Sequence, residues 1–196
     1  MLTRTSFTSH AAEFSSIVTA GAFSDKDEGL LSRDEGIDCL ISLLTNTRAN
    51  GGTLYVIGNG GSAAVASHAV TDFFNIGGLR AMTLHDSSTL TCFSNDYGYE
   101  HAFSRRVARL LTKDDVLIAI SSSGQSANIL NACKSATNQS ASVITLSGFK
   151  TDNPLRSMGN LNYWLNTDDY GMAEIGHLFL LHYISDLLGM EQKTND

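Results

Sequence analysis

The chain has 196 residues, 42% of them hydrophobic, which is the composition of one globular domain with a substantial core. A net charge of −7 without any basic stripe argues against a nucleic-acid-binding surface, so an anionic ligand would need a local pocket rather than a global field. The three cysteines, Cys39, Cys92 and Cys133, lie far apart and read as reduced core thiols rather than a disulfide framework or a zinc knuckle. Residues 1–10 are polar and broken by Arg4, so no signal peptide is expected. No apolar run reaches the ~18 residues of a membrane span, and a soluble cytoplasmic protein follows as the expectation.

Residues 1–50 read as an N-terminal helical segment for packing or oligomer contact. Phe7, Phe14, Ile17 and Val18 fall near helical spacing, as do Leu40, Ile41, Leu43 and Leu44. A polar break from Asp25 to Gly29 separates the two. Residues 51–190 then alternate strands and helices within what is overall a single domain. The strands are predicted at Leu54–Ile57, Arg80–Leu84, Val116–Ile120, Ser142–Leu146 and Tyr163–Leu165. Between them, helices are predicted over Ser87–Phe93, Tyr99–Leu111 and Asn128–Ala136, with a closing helix from Gly171 or Met172 to Leu188. This alternation favours a central parallel sheet covered on both faces.

Two turns carry the chemistry. After the first strand of the alternating region comes Gly58-Asn59-Gly60-Gly61-Ser62, where missing side chains allow a tight turn and close approach of a ligand. An alanine-rich helix follows at once, with Ser62 at its start, so free backbone N–H groups and a positive dipole end face outward. After Ile120, Ser121, Ser122, Ser123 and Ser126 place hydroxyls around Gly124 at a second strand-to-helix junction. Open α/β sheets bind ligands outside the carboxyl ends of their strands. Two such turns therefore point to a phosphate-bearing small molecule. No Gly-Lys-Ser/Thr follows the glycines, and Gly58, Gly60 and Gly61 do not form the dinucleotide fingerprint, so a nucleotide is disfavoured.

Together with Ser94-Asn95-Asp96-Tyr97-Gly98, these turns resemble the sugar isomerase (SIS) superfamily, and within it most closely the bacterial phosphoheptose isomerase family. The resemblance runs from about Gly51 to Leu188. It implies a three-layer sandwich with flavodoxin-like strand order and a homotetramer with sites between subunits. The implied activity is that of an aldose–ketose isomerase converting sedoheptulose 7-phosphate to D-glycero-D-manno-heptose 7-phosphate for surface polysaccharide. Such chemistry needs a base near carbon and an acid near oxygen. His68 and Asp72 stand at i, i+4 on the helix after the glycine turn, and Glu174 and His182 stand eight residues apart on the closing helix.

The family carries His, Glu, Gln and His at these positions around zinc. The resemblance thus implies metal ligands His68, Asp72, Glu174 and His182, with Asp72 and His182 exchanging protons. Asp72 replaces a Glu and Glu174 a Gln, which marks a divergent branch. For the substrate it implies contacts from Asn59, Gly60, Gly61, Ser62, Ser121, Ser122, Ser123 and Ser126. Asp96 has either a capping or a sugar-contact role. His177 reads as a core histidine. Arg80, Arg105, Arg106 and Arg109 read as surface, interface or phosphate-approach charges. Two alternatives stand beside this reading: a noncatalytic SIS protein that binds a partner protein or senses a sugar phosphate, and an isomerase of another sugar phosphate.

Overall fold

The computed structural model describes residues 6–195, with the side chains of residues 6–192; Arg4 and the first residues of the expected polar start lie outside the described residues. Two helices open the chain, α1 (Phe7–Thr19) and α2 (Arg33–Ala49), separated by a small hairpin, β1 (Ala22–Asp25) and β2 (Leu30–Leu31). Then follow β3 (Thr53–Ile57), α3 (Gly60–Asn75), β4 (Arg80–Thr83), α4 (Ser87–Tyr97), α5 (Ser104–Leu110) and β5 (Val116–Ser121). The chain continues with α6 (Ala127–Asn138), β6 (Ser142–Ser147), β7 (Leu161–Trp164) and α7 (Tyr170–Asn195). Short 3-10 turns at Tyr99–His101 and Pro154–Ser157 complete the path.

The sheet has seven strands in the order β2-β1-β7-β6-β5-β3-β4. From β4 to β7 all neighbours are parallel, and their order is that of a flavodoxin-like sheet. Alternation along the strands supplies both faces. Leu54, Val56, Ile118 and Ile120 point into one core with α2, α3 and α7. Tyr55, Ile57, Leu117 and Ala119 point into the other, where Ile129, Ala132, Cys133 and Ala136 of α6 meet Phe103 and Val107. The result is the three-layer sandwich expected from the alternation. Among the described residues, no helix is long and apolar enough to cross a membrane.

The N-terminal segment departs from the all-helical expectation. β1 pairs antiparallel with β7, from Ala22 opposite Trp164 to Asp25 opposite Leu161, and β2 extends the ribbon. The polar break between the expected helices is the tip of this hairpin. There the Asp25 carboxylate accepts from the Asp27 and Gly29 N–H groups, and Glu28 takes a positive φ of 63°. Strand signals were weak because Ala22-Phe23-Ser24-Asp25 is short and lacks β-branched residues. The segment predicted as one helix over Tyr99–Leu111 is instead a 3-10 turn followed by α5. Of the cysteines only Cys133 is a core thiol; Cys39 is partly exposed and Cys92 exposed, and all are free.

His177 on α7 is wholly buried. Its Nε2–H donates to the Ser147 carbonyl at 3.1 Å, while Nδ1 has no partner. Burial disfavours the imidazolium and outweighs that hydrogen bond, pulling the pKa from 6.5 to about 4. Between those values the unfolded chain takes up a proton that the folded one refuses. Stability therefore rises with pH through this window and is complete above the unfolded value. Acidifying to pH 4 should remove about 3 kcal/mol through this residue. Urea unfolding at pH 7.5 and 4.5 should show the fall, and His177→Gln, though less stable at pH 7.5, should flatten it. An unchanged slope in the variant would assign the acid sensitivity to other groups.

Candidate active site

β3 leaves the sheet at Ile57 and the chain turns through Gly58 and Asn59 into α3. A Cβ at Gly58 would meet the Ser62 carbonyl oxygen at 2.6 Å, so only glycine lets the helix start this close to the strand. The Gly58 N–H donates to His85 Nε2 at 3.3 Å. Burial, with help from the nearby Arg106 charge, holds the His85 pKa below its ordinary value, which keeps that nitrogen free to accept. Gly60 takes a φ of +53° with open space where a Cβ would be.

Asn59 is the N-cap of α3, yet its side chain does not cap the helix. It bonds sideways instead: its Nδ2 donates to Asn128 Oδ1 at 2.9 Å, and its Oδ1 accepts from Asn128 Nδ2 and the Tyr99 hydroxyl, each at 2.8 Å. Ser126, the N-cap of α6, is also unengaged in capping and accepts from the Ser121 hydroxyl at 3.2 Å. By contrast Ser6, Ser32 and Asp86 close α1, α2 and α4 with side-chain caps. The first N–H groups of a helix have no intrahelical partner, so uncapped starts leave donors and a positive dipole end available.

Both open starts face one cavity of about 260 Å³ at the carboxyl ends of β3 and β5. Asn59, Gly60, Gly61 and Ser62 line one side, and Ser121, Ser122, Ser123 and Ser126 the other. Ser122 Oγ is buried there without a hydrogen-bond partner. No lysine or arginine lines the cavity. Phosphate could still bind, because backbone donors and hydroxyls are already oriented. Tyr170 and Glu174 complete the wall.

A second cluster lies farther along α3 and α7. Asp72 Oδ2 is 3.0 Å from His182 Nδ1 and 3.3 Å from His68 Nε2, and the two rings meet edge to face at 4.7 Å. These spacings are those of contacting polar atoms, but Asp72 Oδ2 is buried with no hydrogen-bond partner. One ligand atom from each of His68, Asp72 and His182 lies within 4.8 Å of the others, and a shared cation would satisfy the unpaired oxygen. A tetrahedral zinc with ligands at ~2.0–2.1 Å separates neighbouring donors by about 3.3 Å. His68, Asp72 and His182 therefore fit a divalent cation.

Glu174, expected beside these ligands, is not in the three-donor group found among the described residues. Its carboxylate lies against Gly61, where a Cβ would meet Oε2 at 2.1 Å. Asp96 is exposed in the last turn of α4, bonded by Asn95 Nδ2 at 2.9 Å and beside Cys92 Sγ at 3.5 Å, and does not line the cavity. Arg80 and Arg106 donate to the Gly51 and Leu84 carbonyls, and Arg105 stacks over Tyr97 at 3.6 Å. Sequence reasoning gave no role to Tyr99, Asn128 or Tyr170. Asn128 stood as the first residue of a predicted helix, and its pairing with Asn59 across 69 residues reveals its place.

Residues 27–148 match the SIS domain family, more than half the chain. Phosphoheptose isomerase of Helicobacter pylori is 33% identical over 168 residues, covering 83% of this chain and 87% of that protein. That of Thiobacillus denitrificans is 39% identical over 171 residues, with 76% and 83% covered. The chain belongs to the phosphoheptose isomerase family of SIS domains. A solved family structure, phosphoheptose isomerase from Neisseria gonorrhoeae, superposes with a TM-score of 0.79 at 30% identity, over 92% of this chain and 96% of that one.

The two turns of this SIS domain differ in how much they tolerate. Gly124 has a φ of +65°, and a Cβ there would meet Asn153 Oδ1 at 1.8 Å, inside the buried network under the serine turn. Gly124→Ala should cost about 2–4 kcal/mol, adding a clash to the left-handed strain. Gly60→Ala should cost about 1–2 kcal/mol, since strain alone applies. Paired urea melts check this order, and equal losses would contradict it.

Proposed function

We propose that the protein interconverts sedoheptulose 7-phosphate and D-glycero-D-manno-heptose 7-phosphate by proton transfer through an enediol, within the synthesis of heptose for surface polysaccharide. The observation that carries this reading is the distance between the two halves of the site. Glu174 meets Gly61, and His182 meets Asp72, so α3 and α7 run side by side in the same direction. From Gly61 to His68 is seven residues, or about 10 Å of helix rise. A sugar held by its phosphate in the cradle needs a long carbon chain to bring C1 and C2 to the donors. A triose phosphate would fall short.

In the forward direction one proton leaves C1 and one reaches O2; then one leaves O1 and one reaches C2. Asp72 is the group for the carbon-bound proton. Its carboxylate has two oxygens, so Oδ2 can face the histidines while Oδ1 faces the substrate. His182 directs Nδ1 toward Asp72 and keeps Nε2 for the sugar oxygens. His68, Asp72 and His182 would hold zinc, which as a Lewis acid would polarise the sugar carbonyl or hydroxyl. Three protein ligands with a position left for substrate are the usual arrangement of a catalytic zinc. Glu174, one wall of the cradle, then helps set how strongly the phosphate is held. Hydroxyls of Ser62, Ser121, Ser123 and Ser126, with neighbouring amides, hold that phosphate.

We further infer a cytoplasmic homotetramer. α1 buries none of its residues within the protomer, and Ile175, Phe179 and Tyr183 form an exposed apolar stripe on α7. Phe179→Asp should lower the mass measured by light scattering; an unchanged tetramer would move the interface elsewhere.

The direct test is turnover of sedoheptulose 7-phosphate by metal-free protein and after zinc is restored. Aldoheptose phosphate should form, and more rapidly with zinc. Asp72→Asn should lower kcat by about 10³-fold, with the melting curve of the metal-free protein unchanged. Retained turnover in the variant would remove Asp72 from the proton transfer. An absence of product from folded, zinc-loaded protein would overturn the substrate.

A further inference from the structure

The two helix starts that form the cradle belong to segments far apart in sequence, and something must hold them at a fixed spacing. The only side-chain pair joining them among the described hydrogen bonds is Asn59 with Asn128, which exchange two hydrogen bonds of 2.9 and 2.8 Å. Asn59 closes the glycine turn before α3, and Asn128 is the second residue of α6. Asn128 is 2% exposed and does not line the cavity. Its Oδ1 also accepts from the Ile129 N–H at 3.0 Å, which fixes the amide to the first turn of α6. The Tyr99 hydroxyl also donates to Asn59 Oδ1. Asn59 Oδ1 is thus committed twice and is withdrawn from capping α3.

We propose that Asn128, with Tyr99, is a positioning residue for phosphate binding: it clamps Asn59 so that the start of α3 stays open and is held, beside the start of α6, toward one anion. Two consequences follow from one bond pattern. Diverting the N-cap amide leaves the α3 donors free, since an Asn turned inward would satisfy an N–H of the first turn. Joining the helices by a two-bond bridge fixes the distance between two sets of preoriented donors, and preorganisation spares the cost of ordering them when the ligand arrives. Asn128 acts through Asn59 and never touches the sugar phosphate.

The proposal rests on the phosphate cradle of the functional reading, so inorganic phosphate is the probe, measured by calorimetry apart from turnover. Asn128→Ala should weaken phosphate binding about tenfold and raise KM for the sugar phosphate in parallel, with kcat affected far less. Asn59→Ala combined with Asn128→Ala should lose no more than Asn59→Ala alone, because the bridge is already cut. Tyr99→Phe removes one hydroxyl from a half-exposed ring and keeps the test available if Asn128→Ala fails to fold; a smaller loss, about threefold, is expected. Folded variants with wild-type phosphate affinity, or fully additive losses in the double variant, would overturn the clamp while leaving the cradle. A wild-type protein that binds no phosphate would overturn the cradle and the clamp together.

Discussion

The site depends on one topological constraint, the reversal of strand order between β3 and β5. At that point α3 leaves toward one face of the sheet and α6 toward the other, so their starts diverge and leave a crevice between them. Two helix dipoles and two small-residue turns then face the same space. A chain with net charge −7 could not gather an anion through its overall field. Local geometry supplies what the global charge withholds.

A second frame is set by α3 and α7. They share one face of the sheet and one apolar core, in which Ala66, Ala69 and Phe73 of α3 lie with Leu181 and Ile184 of α7. Because the helices are parallel, positions along one index positions along the other. The near ends meet at Gly61 and Glu174, and the far contact is between Asp72 and His182. The two clusters that the proposed function assigns to phosphate and to proton transfer thus lie at two positions along one helix pair. Packing in that core sets the distance between them, and loop conformation does not.

Much of this was legible in the sequence, for identifiable reasons. Buried strands such as Val116–Ser121 are continuous apolar runs bounded by turn residues, and clustered glycines mark a tight turn or a close approach. The i, i+4 spacing of His68 and Asp72 determines a shared face before any coordinates exist. The hairpin at β1 and β2 was hidden because short strands near the rim of a sheet draw their stability from the neighbour, here β7 for β1, and carry little propensity of their own. Eight residues on a helix leave Glu174 and His182 about 12 Å apart along the axis, so a shared side did not imply a shared ligand sphere. Asn128 was invisible as a functional residue because its meaning lies in a partner from another turn.

The antiparallel ribbon on β7 also has a bearing on synthesis. Its strands leave the ribosome well before β7, yet Ala22 pairs with Trp164 and Asp25 with Leu161. Until β7 is made, the ribbon has nothing to close against, and the β7 edge cannot be covered. Contacts of such sequence separation form late, after the costly loop closure. The sealing of this sheet edge is therefore a long-range step of assembly, made by a segment synthesised well before its partner. A nascent chain delayed before residue 161 would carry an unpaired ribbon, which is the kind of surface a neighbouring chain can adopt in its place.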